Sequence, residues 1–419
     1  MDAVADPRRL LVPLLFLWHA LILASYYVLR PVRSALLLSD FGAAGLPWVY
    51  MGTALVTGLA VWVFSRFADL PRRTLFLGVF SIFLANLLLL WGLARCGWRW
   101  ASPALYVWSD VFSIMGVTLF WMYAEDLFEA SEAKRLFGWL TSAGSIGAMA
   151  GAGLTRLLVP RIGAVNMLLA AAGIWSLSMG VFAALESASG GRAARHEELI
   201  EGFDRHDYSG VLPVLRALFS SKALLLLAVV ACFERGVPDF LDYLFQRLGH
   251  AAYPERDAFA GFFAGFELWR SGLDFIAAAL LTAPLIRRLG LSTALSALPL
   301  TLAAGFSLFV LHPSFGLLLL FKGLDEMQRH SWQKAGKELV YTALSREVIY
   351  KVKGYLEMFL YRFARGAAGL AILLLSGPLG FGLRGIAVTA AVLAVLWLPC
   401  GWELGRLFSR SQSKNGLPG

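Results

Sequence analysis

The sequence predicts an all-α polytopic membrane protein of about twelve transmembrane helices, arranged as two six-helix pseudo-repeats. Three observations carry this expectation. Of the 419 residues, 58% are hydrophobic and 16% charged, with a mean hydropathy of +0.66, which leaves too little polar surface to cover a soluble body of this size. Apolar runs of about 20 residues, the length that crosses a hydrocarbon core, recur along the whole chain. One long polar stretch, Glu186 to Lys222, divides them six and six.

In the first half the runs fall near residues 10–38, 45–66, 74–94, 104–124, 136–158 and 164–186. The first is a full span with no small-residue cleavage site after it, so it is expected to be retained and not removed as a signal peptide. The second half repeats the spacing near 222–246, 258–285, 291–311, 314–333, 350–376 and 383–405. The expected organisation is therefore a bundle over 1–186, a cytoplasmic loop over 187–221 and a second bundle over 222–419. With both termini placed in the cytoplasm, roughly 22 Lys and Arg fall inside and about seven outside, the bias of the positive-inside rule. That bias accounts for much of the +9 net charge, so the basic balance does not point to nucleic acid. The expected location is a bacterial inner membrane.

Cys96, Cys232 and Cys400 are scattered, with neither even pairing nor metal-type spacing, and no disulfide framework, metal site or cofactor is expected. The six histidines are dispersed as well. No nucleophile elbow or catalytic His motif is present, which argues against an enzyme. A P-loop is absent too: Gly336-Lys337 is followed by Glu338 where Ser or Thr is required. Transport would then be driven by gradients or exchange. The small-residue run Gly144 to Gly153 lies inside an apolar span and predicts close helix packing.

Charges inside apolar spans carry the functional signal. The first span, over Ser25 to Leu38, contains Arg30 and Arg33. An arginine at the bilayer centre costs ~2.5–3.5 kcal/mol on insertion scales, so two within one turn are expected to face a water-filled cavity, and their sign suggests an anionic cargo. Asp110, Glu125 and Asp126 lie in or at the end of the fourth span, and Glu234, Arg235, Asp239 and Asp242 in the seventh. In the eighth, Glu267, Arg270 and Asp274 share a face, where Arg270 can pair with either neighbour. Lys322, Asp325, Glu326, Arg329 and His330 crowd the tenth. In the eleventh, Glu357, Tyr361 and Arg365 form one stripe beside Arg362, and arginines so placed can clamp phosphate oxygens bidentately. The competing expectation for this stripe is a salt-bridge latch with Glu125 or Asp242.

Two pairs of segments repeat between the halves. Val63 to Leu75 and Thr282 to Ala294 are short basic turns after the second and eighth spans. Glu125 with Lys134, Arg135 and Gly138 corresponds to Glu338 with Lys351, Lys353 and Gly354. Six-helix halves about a central loop resemble the major facilitator architecture, in which substrate sits near the midplane and the halves rock about it. The chain further resembles the ATP:ADP antiporter family, nucleotide transporters of plastids and intracellular bacterial parasites. It does so on Tyr27-Val-Leu-Arg-Pro-Val-Arg33, Ala124-Glu-Asp-Leu-Phe128 with Lys134-Arg-Leu-Phe-Gly138, Leu241-Asp-Tyr-Leu-Phe245, and Lys337-Glu-Leu-Val-Tyr-Thr-Ala-Leu-Ser-Arg-Glu347 with Tyr350-Lys-Val-Lys-Gly354.

The resemblance implies a secondary transporter moving a nucleotide or similar phosphorylated anion by alternating access, as a monomer in the lipid bilayer. It implies roles for Arg33, Glu125, Asp242 and Lys337. With the charge pattern, the expected substrate-binding residues are Arg30, Arg33, Lys337, Arg362 and Arg365, and the expected gating or charge-balancing residues are Glu125, Asp242, Glu338 and Glu357. The chain departs from the family pattern in Pro31 and Ser34, where the nucleotide exchangers carry acids, in Arg33 for Lys and Asp242 for Glu, and in Arg362-Phe-Ala-Arg365 for a late Arg-x-Gly-Lys. These keep charge sign and change geometry. Another organic anion as cargo, or a non-transporting sensor on the same scaffold, is the alternative expectation.

Overall fold

The computed structural model describes residues 8–66, 72–128, 130–189, 221–342 and 360–414. All described elements are helices: α1 (Arg8–Phe41), α2 (Gly45–Arg66), α3 (Arg72–Arg95), α4 (Ala101–Leu127), α5 (Ala130–Ile162), α6 (Met167–Ser189), α7 (Lys222–Ala252), α8 (Arg256–Ile276), α9 (Thr282–Leu311), α10 (Phe315–Gln328), α11 (Lys334–Thr342), α12 (Tyr361–Ser376) and α13 (Leu383–Lys414). A π-helical turn, Ala277–Leu281, joins α8 to α9, and a second, Arg329–Gln333, joins α10 to α11.

Seven stretches of the described residues are long and apolar enough to cross a membrane, and one of them, Arg256–Leu311, runs for 56 residues. That is far more than one crossing needs. Gly290, at φ 79° and ψ 163°, breaks it. Only glycine adopts that backbone without strain, so the turn expected between the eighth and ninth spans is a single-residue elbow. The other helices, among them α5, α7 and α10, carry charges at intramembrane positions or are short. Outward-facing side chains include Leu55, Leu157, Trp269, Leu280, Leu300 and Val392, the apolar coat that a helix bundle presents to lipid. The all-α polytopic architecture expected from composition is the one the structure has. The expected loop at 187–221 lies almost entirely outside the described residues.

The chain forms two compact units. The first holds α1, α2 from Leu59, α3 to α6, and α8 as far as Gly272. The second holds α2 as far as Gly58, α7, and the chain from Leu273 onward. Each unit repeats one packing plan. In the first, α1 packs on α4, α5 and α6, and α3 on α4 and α6. In the second, α7 packs on α10, α12 and α13, and α9 on α10 and α13.

Small residues set the closest approaches. A Cβ on Gly147 would stand 2.1 Å from the Ala20 carbonyl oxygen, and one on Gly151 2.2 Å from that of Ala24. The Gly144 to Gly153 run is thus the seam between α5 and α1, as its spacing predicts. In the second unit Gly405 plays the same part, its Cβ position lying 2.4 Å from Ser292 Cα and bringing α13 onto α9. The core of the first unit closes around Trp18. Its ring centroid lies 5.0 Å from Phe182, 5.4 Å from Phe120, 5.5 Å from Tyr123, 6.0 Å from Phe80 and 6.4 Å from Phe76.

Candidate functional site

The polar side chains that the apolar helices carry inward form ion-pair clusters within each unit. In the first unit the gathering element is α1. Its residues Tyr26, Tyr27, Arg30 and Arg33 fall at spacings of three and four, which brings them onto neighbouring faces of adjacent turns. Arg33 is 4% exposed. Its Nη1 donates to Asp110 Oδ1 at 2.5 Å and Ser109 Oγ at 2.8 Å, both on α4. Its guanidinium carbon lies 4.4 Å from the Tyr106 ring centre and 5.6 Å from that of Tyr26. Carboxylate, hydroxyl and two ring faces together offset the cost of burying the charge.

Arg30, one turn earlier, turns to α8. Its Nη1 donates to Glu267 Oε2 at 3.0 Å. Arg270 reaches the same oxygen with Nε at 2.9 Å and donates through Nη2 to the Tyr27 hydroxyl at 2.8 Å. Of the two neighbours that Arg270 can pair with by spacing, Glu267 stands 2.8 Å from it. Asp274 stands 3.5 Å from His330 Nδ1 in the second unit. Glu125 is exposed near the end of α4.

In the second unit, Asp242 on α7 is the gathering point. Lys322 Nζ of α10 stands 3.0 Å from its Oδ1. Tyr50 Oη of α2 donates to Oδ2 at 2.7 Å and Gln246 Nε2 to the same oxygen at 2.6 Å. Lys322 also pairs with Glu326 at 3.1 Å. Arg329, the first residue of the π-helical turn after α10, pairs with Asp325 at i, i+4, so the face predicted for the tenth span combines local ion pairs with the Lys322 link to α7. Arg365 of α12 is buried, its guanidinium carbon 4.9 Å from the Tyr50 ring centre. Tyr50 therefore touches both, Asp242 through its hydroxyl and Arg365 through its ring.

Lys337 of α11 donates to Glu234 of α7 at 2.8 Å and lies 5.7 Å from the Tyr361 ring centre. Arg235 approaches that ring at 5.8 Å and pairs with Asp239 at 3.5 Å. Arg362 and Glu338 are half-buried. Glu357 lies outside the described residues. Among the described residues no group of three His, Cys, Asp or Glu is placed to hold a metal ion.

Four participants did not stand out in the sequence: Tyr50, Gln246, Ser109 and Tyr106. Each is a neutral residue within a span, and polarity alone does not separate such a residue from an interface anchor or a satisfied core side chain. Asp110 was visible as an intramembrane acid. Its pairing with Arg33, 77 positions away, was not.

No family model matches the chain. ADP,ATP carrier protein 1 of Chlamydia pneumoniae is 20% identical to it over 360 residues, covering 74% of this chain and 68% of the carrier. A variant of the nucleoside transporter NupG superposes with a TM-score of 0.64 at 12% identity, over 96% of this chain and 99% of that one. An inward-facing bacterial homologue of the iron transporter ferroportin gives 0.63 at 14% identity, over 94% and 98%. The bacterial homologue of the lysosomal transporter Spinster gives 0.62 at 12%, over 98% and 99%. The chain shares the fold of these transporters. This is the all-α multi-pass membrane architecture expected from composition.

Proposed function

We propose that the chain is a secondary transporter that carries a nucleotide of the ATP/ADP type, or a similarly phosphorylated anion, across a bacterial inner membrane by alternating access and exchange. The observation that carries this reading is the pair of arginines, Arg33 buried and Arg30 half-buried, one turn apart in a transmembrane helix of a transporter fold. Intramembrane cations are costly, and one that is kept marks a pathway for the opposite charge. The likeness to an ADP,ATP carrier supports a nucleotide as that charge.

In this reading Arg30, Arg33, Lys337, Arg362 and Arg365 contact phosphate oxygens. Glu125, Asp242, Glu338 and Glu357 exchange partners with them as the six-helix bundles, 1–186 and 222–419, rock. The protein works as a monomer with both termini in the cytoplasm, and the nucleotide crosses without covalent change. Arg33 and Asp242 in place of the family's Lys and Glu favour a second reading with the same fold and another organic anion as cargo.

Uptake of labelled ATP and ADP into proteoliposomes holding the purified protein tests both readings. The expected result is uptake that requires unlabelled nucleotide inside and returns intact nucleotide. No uptake under either loading, from protein that is folded and inserted, rules out nucleotide exchange. Competition by a panel of unlabelled anions then identifies the cargo.

A further inference from the structure

Gln333 closes the π-helical turn between α10 and α11, and its side chain is fully buried. Neither its amide nitrogen nor its amide oxygen has a hydrogen-bond partner among the described residues. A buried polar group left unpaired is costly, and an amide carries two of them. Leucine or methionine would fill the same space without that cost.

The neighbours of Gln333 fix the face on which it lies. Gln328 Nε2 donates to Thr301 Oγ1 of α9 at 2.9 Å, Trp332 packs on Ala277 and Ala294, and a Cβ on Gly336 would stand 3.0 Å from Leu295 Cδ2. These three residues, at successive fourth positions, hold one face of the segment on α9, so the register continues through the π-helical turn. Arg329, Gln333 and Lys337 each follow by one residue and share the next face. There Lys337 donates to Glu234 of α7 at 2.8 Å and lies 5.7 Å from the Tyr361 ring centre of α12, and the Arg329 charge also reaches Tyr361. Gln333 therefore has a cation one turn away on either side, all within the second unit.

The cations suit phosphate oxygens. The amide between them suits a neutral group, because it presents a donor and an acceptor side by side. That pattern pairs bidentately with the amino group and a neighbouring ring nitrogen of adenine. A π-helical turn within a helix is also a frequent feature of functional sites.

We infer that Gln333 is a specificity-determining residue whose amide pairs with the base of the cargo. The inference rests on the nucleotide cargo proposed above and deepens it, naming adenine nucleotides as the preferred class. A base without the amino group leaves the amide unpaired and is disfavoured for that reason. Gln333 is closed off in this structure, so the pairing belongs to a conformation in which the segment opens. Ser331, at φ −106° and ψ −105°, is the residue of the turn that departs from helical geometry.

The test uses the full chain, with binding and melting temperature measured in detergent and exchange in proteoliposomes. Three ligands are compared: ADP, purine riboside diphosphate, which is ADP without its 6-amino group, and inorganic pyrophosphate, which has no base. Wild-type protein should bind purine riboside diphosphate about tenfold more weakly than ADP. Gln333→Met keeps the length of the side chain and removes both polar atoms. It should bind and exchange ADP about tenfold more weakly, make no distinction between the two nucleotides, and bind pyrophosphate as the wild type does. Its melting temperature should be unchanged or higher, because no unpaired amide is buried.

If Gln333 were only structural, Gln333→Met would shift the melting temperature and keep the wild-type preference for ADP. That result overturns the inference and leaves nucleotide exchange standing, as does wild-type protein that binds both nucleotides equally. Wild-type protein that neither binds nor exchanges ADP overturns both. Should Gln333→Met not fold, Gln333→Asn decides: it draws the amide back by one carbon and should lose the preference for ADP, and an intact preference refutes the inference.

Discussion

Lys322 of α10 meets Asp242 of α7 at 3.0 Å, and in the other unit Asp110 of α4 meets Arg33 of α1 at 2.5 Å. In the packing plan the two units share, α7 takes the place of α1 and α10 that of α4. The same helix pair is therefore fastened by the same kind of bond in both units, with the signs exchanged.

Breaking either pair takes the opposite charge away from a carboxylate inside its unit, a loss of up to about 3–5 kcal/mol. Arg33→Ala and Lys322→Met should each lower the melting temperature of the purified protein. Removing both ends of the first pair, as in Arg33→Ala with Asp110→Ala, should recover part of the loss, because no stranded charge remains. A double variant less stable than either single variant would refute the pairing. If Arg33 also handles substrate, the double variant stays inactive after its stability returns.

Tyr50→Phe removes one of the donors to Asp242 and keeps the ring on which Arg365 rests. A hydrogen bond to a charged group contributes about 1.5–3 kcal/mol, and Lys322 and Gln246 still hold the carboxylate, so the loss should lie at the low end of that range. Tyr50→Ala removes both contacts and should cost more. Urea or thermal unfolding of the three proteins in one detergent would show the order wild type, Phe, Ala. An equal stability for Phe and Ala would remove the Arg365 stacking from the account.

The seam between α1 and α5 leaves no room for a methyl group. Gly147→Ala and Gly151→Ala each place a carbon within 2.2 Å of a backbone carbonyl oxygen, an overpacking that costs about 1–3 kcal/mol. Gly173→Ala meets nothing within 4 Å and should be neutral or stabilising by up to about 1 kcal/mol, the helix propensity difference. Thermal melts of the three variants check this directly, and a Gly147→Ala protein as stable as Gly173→Ala would mean the helices are not this close.

Cys96 is exposed just after α3, whereas Cys232 and Cys400 are partly buried within helices. The proposed orientation, with both termini in the cytoplasm, puts the α3 to α4 connection outside. A membrane-impermeant maleimide added to intact cells should therefore label Cys96, and Cys96→Ser should abolish most of the labelling. Labelling only after lysis would reverse the orientation.

Much of the architecture was written locally. Apolar runs of membrane-spanning length marked the helices, and the spacing of Gly144 to Gly153 marked the α1 to α5 seam. Arginines at positions 30 and 33 announced a buried polar centre, because a helix of that composition has no other reason to bear their cost. The pairings were not local. Glu267, Arg270 and Asp274 share one face, and only the folded chain shows that Glu267 also takes Arg30 from α1. Nor does a short basic segment reveal that the ninth span begins at a lone glycine, since Arg287, Arg288 and Gly290 suit a loop as well as an elbow. Tyr50 had no charge to draw attention, yet it joins Asp242 to Arg365.

The rings around Trp18 give the first unit an optical signature. An indole in a fixed orientation, surrounded by three phenylalanines and a tyrosine within 6.0 Å, should contribute a strong, asymmetric near-ultraviolet circular dichroism band. Trp18→Phe keeps most of the volume and should subtract that band alone. The difference spectrum then follows the integrity of this one core through solubilisation, reconstitution and ligand addition, without any attached dye.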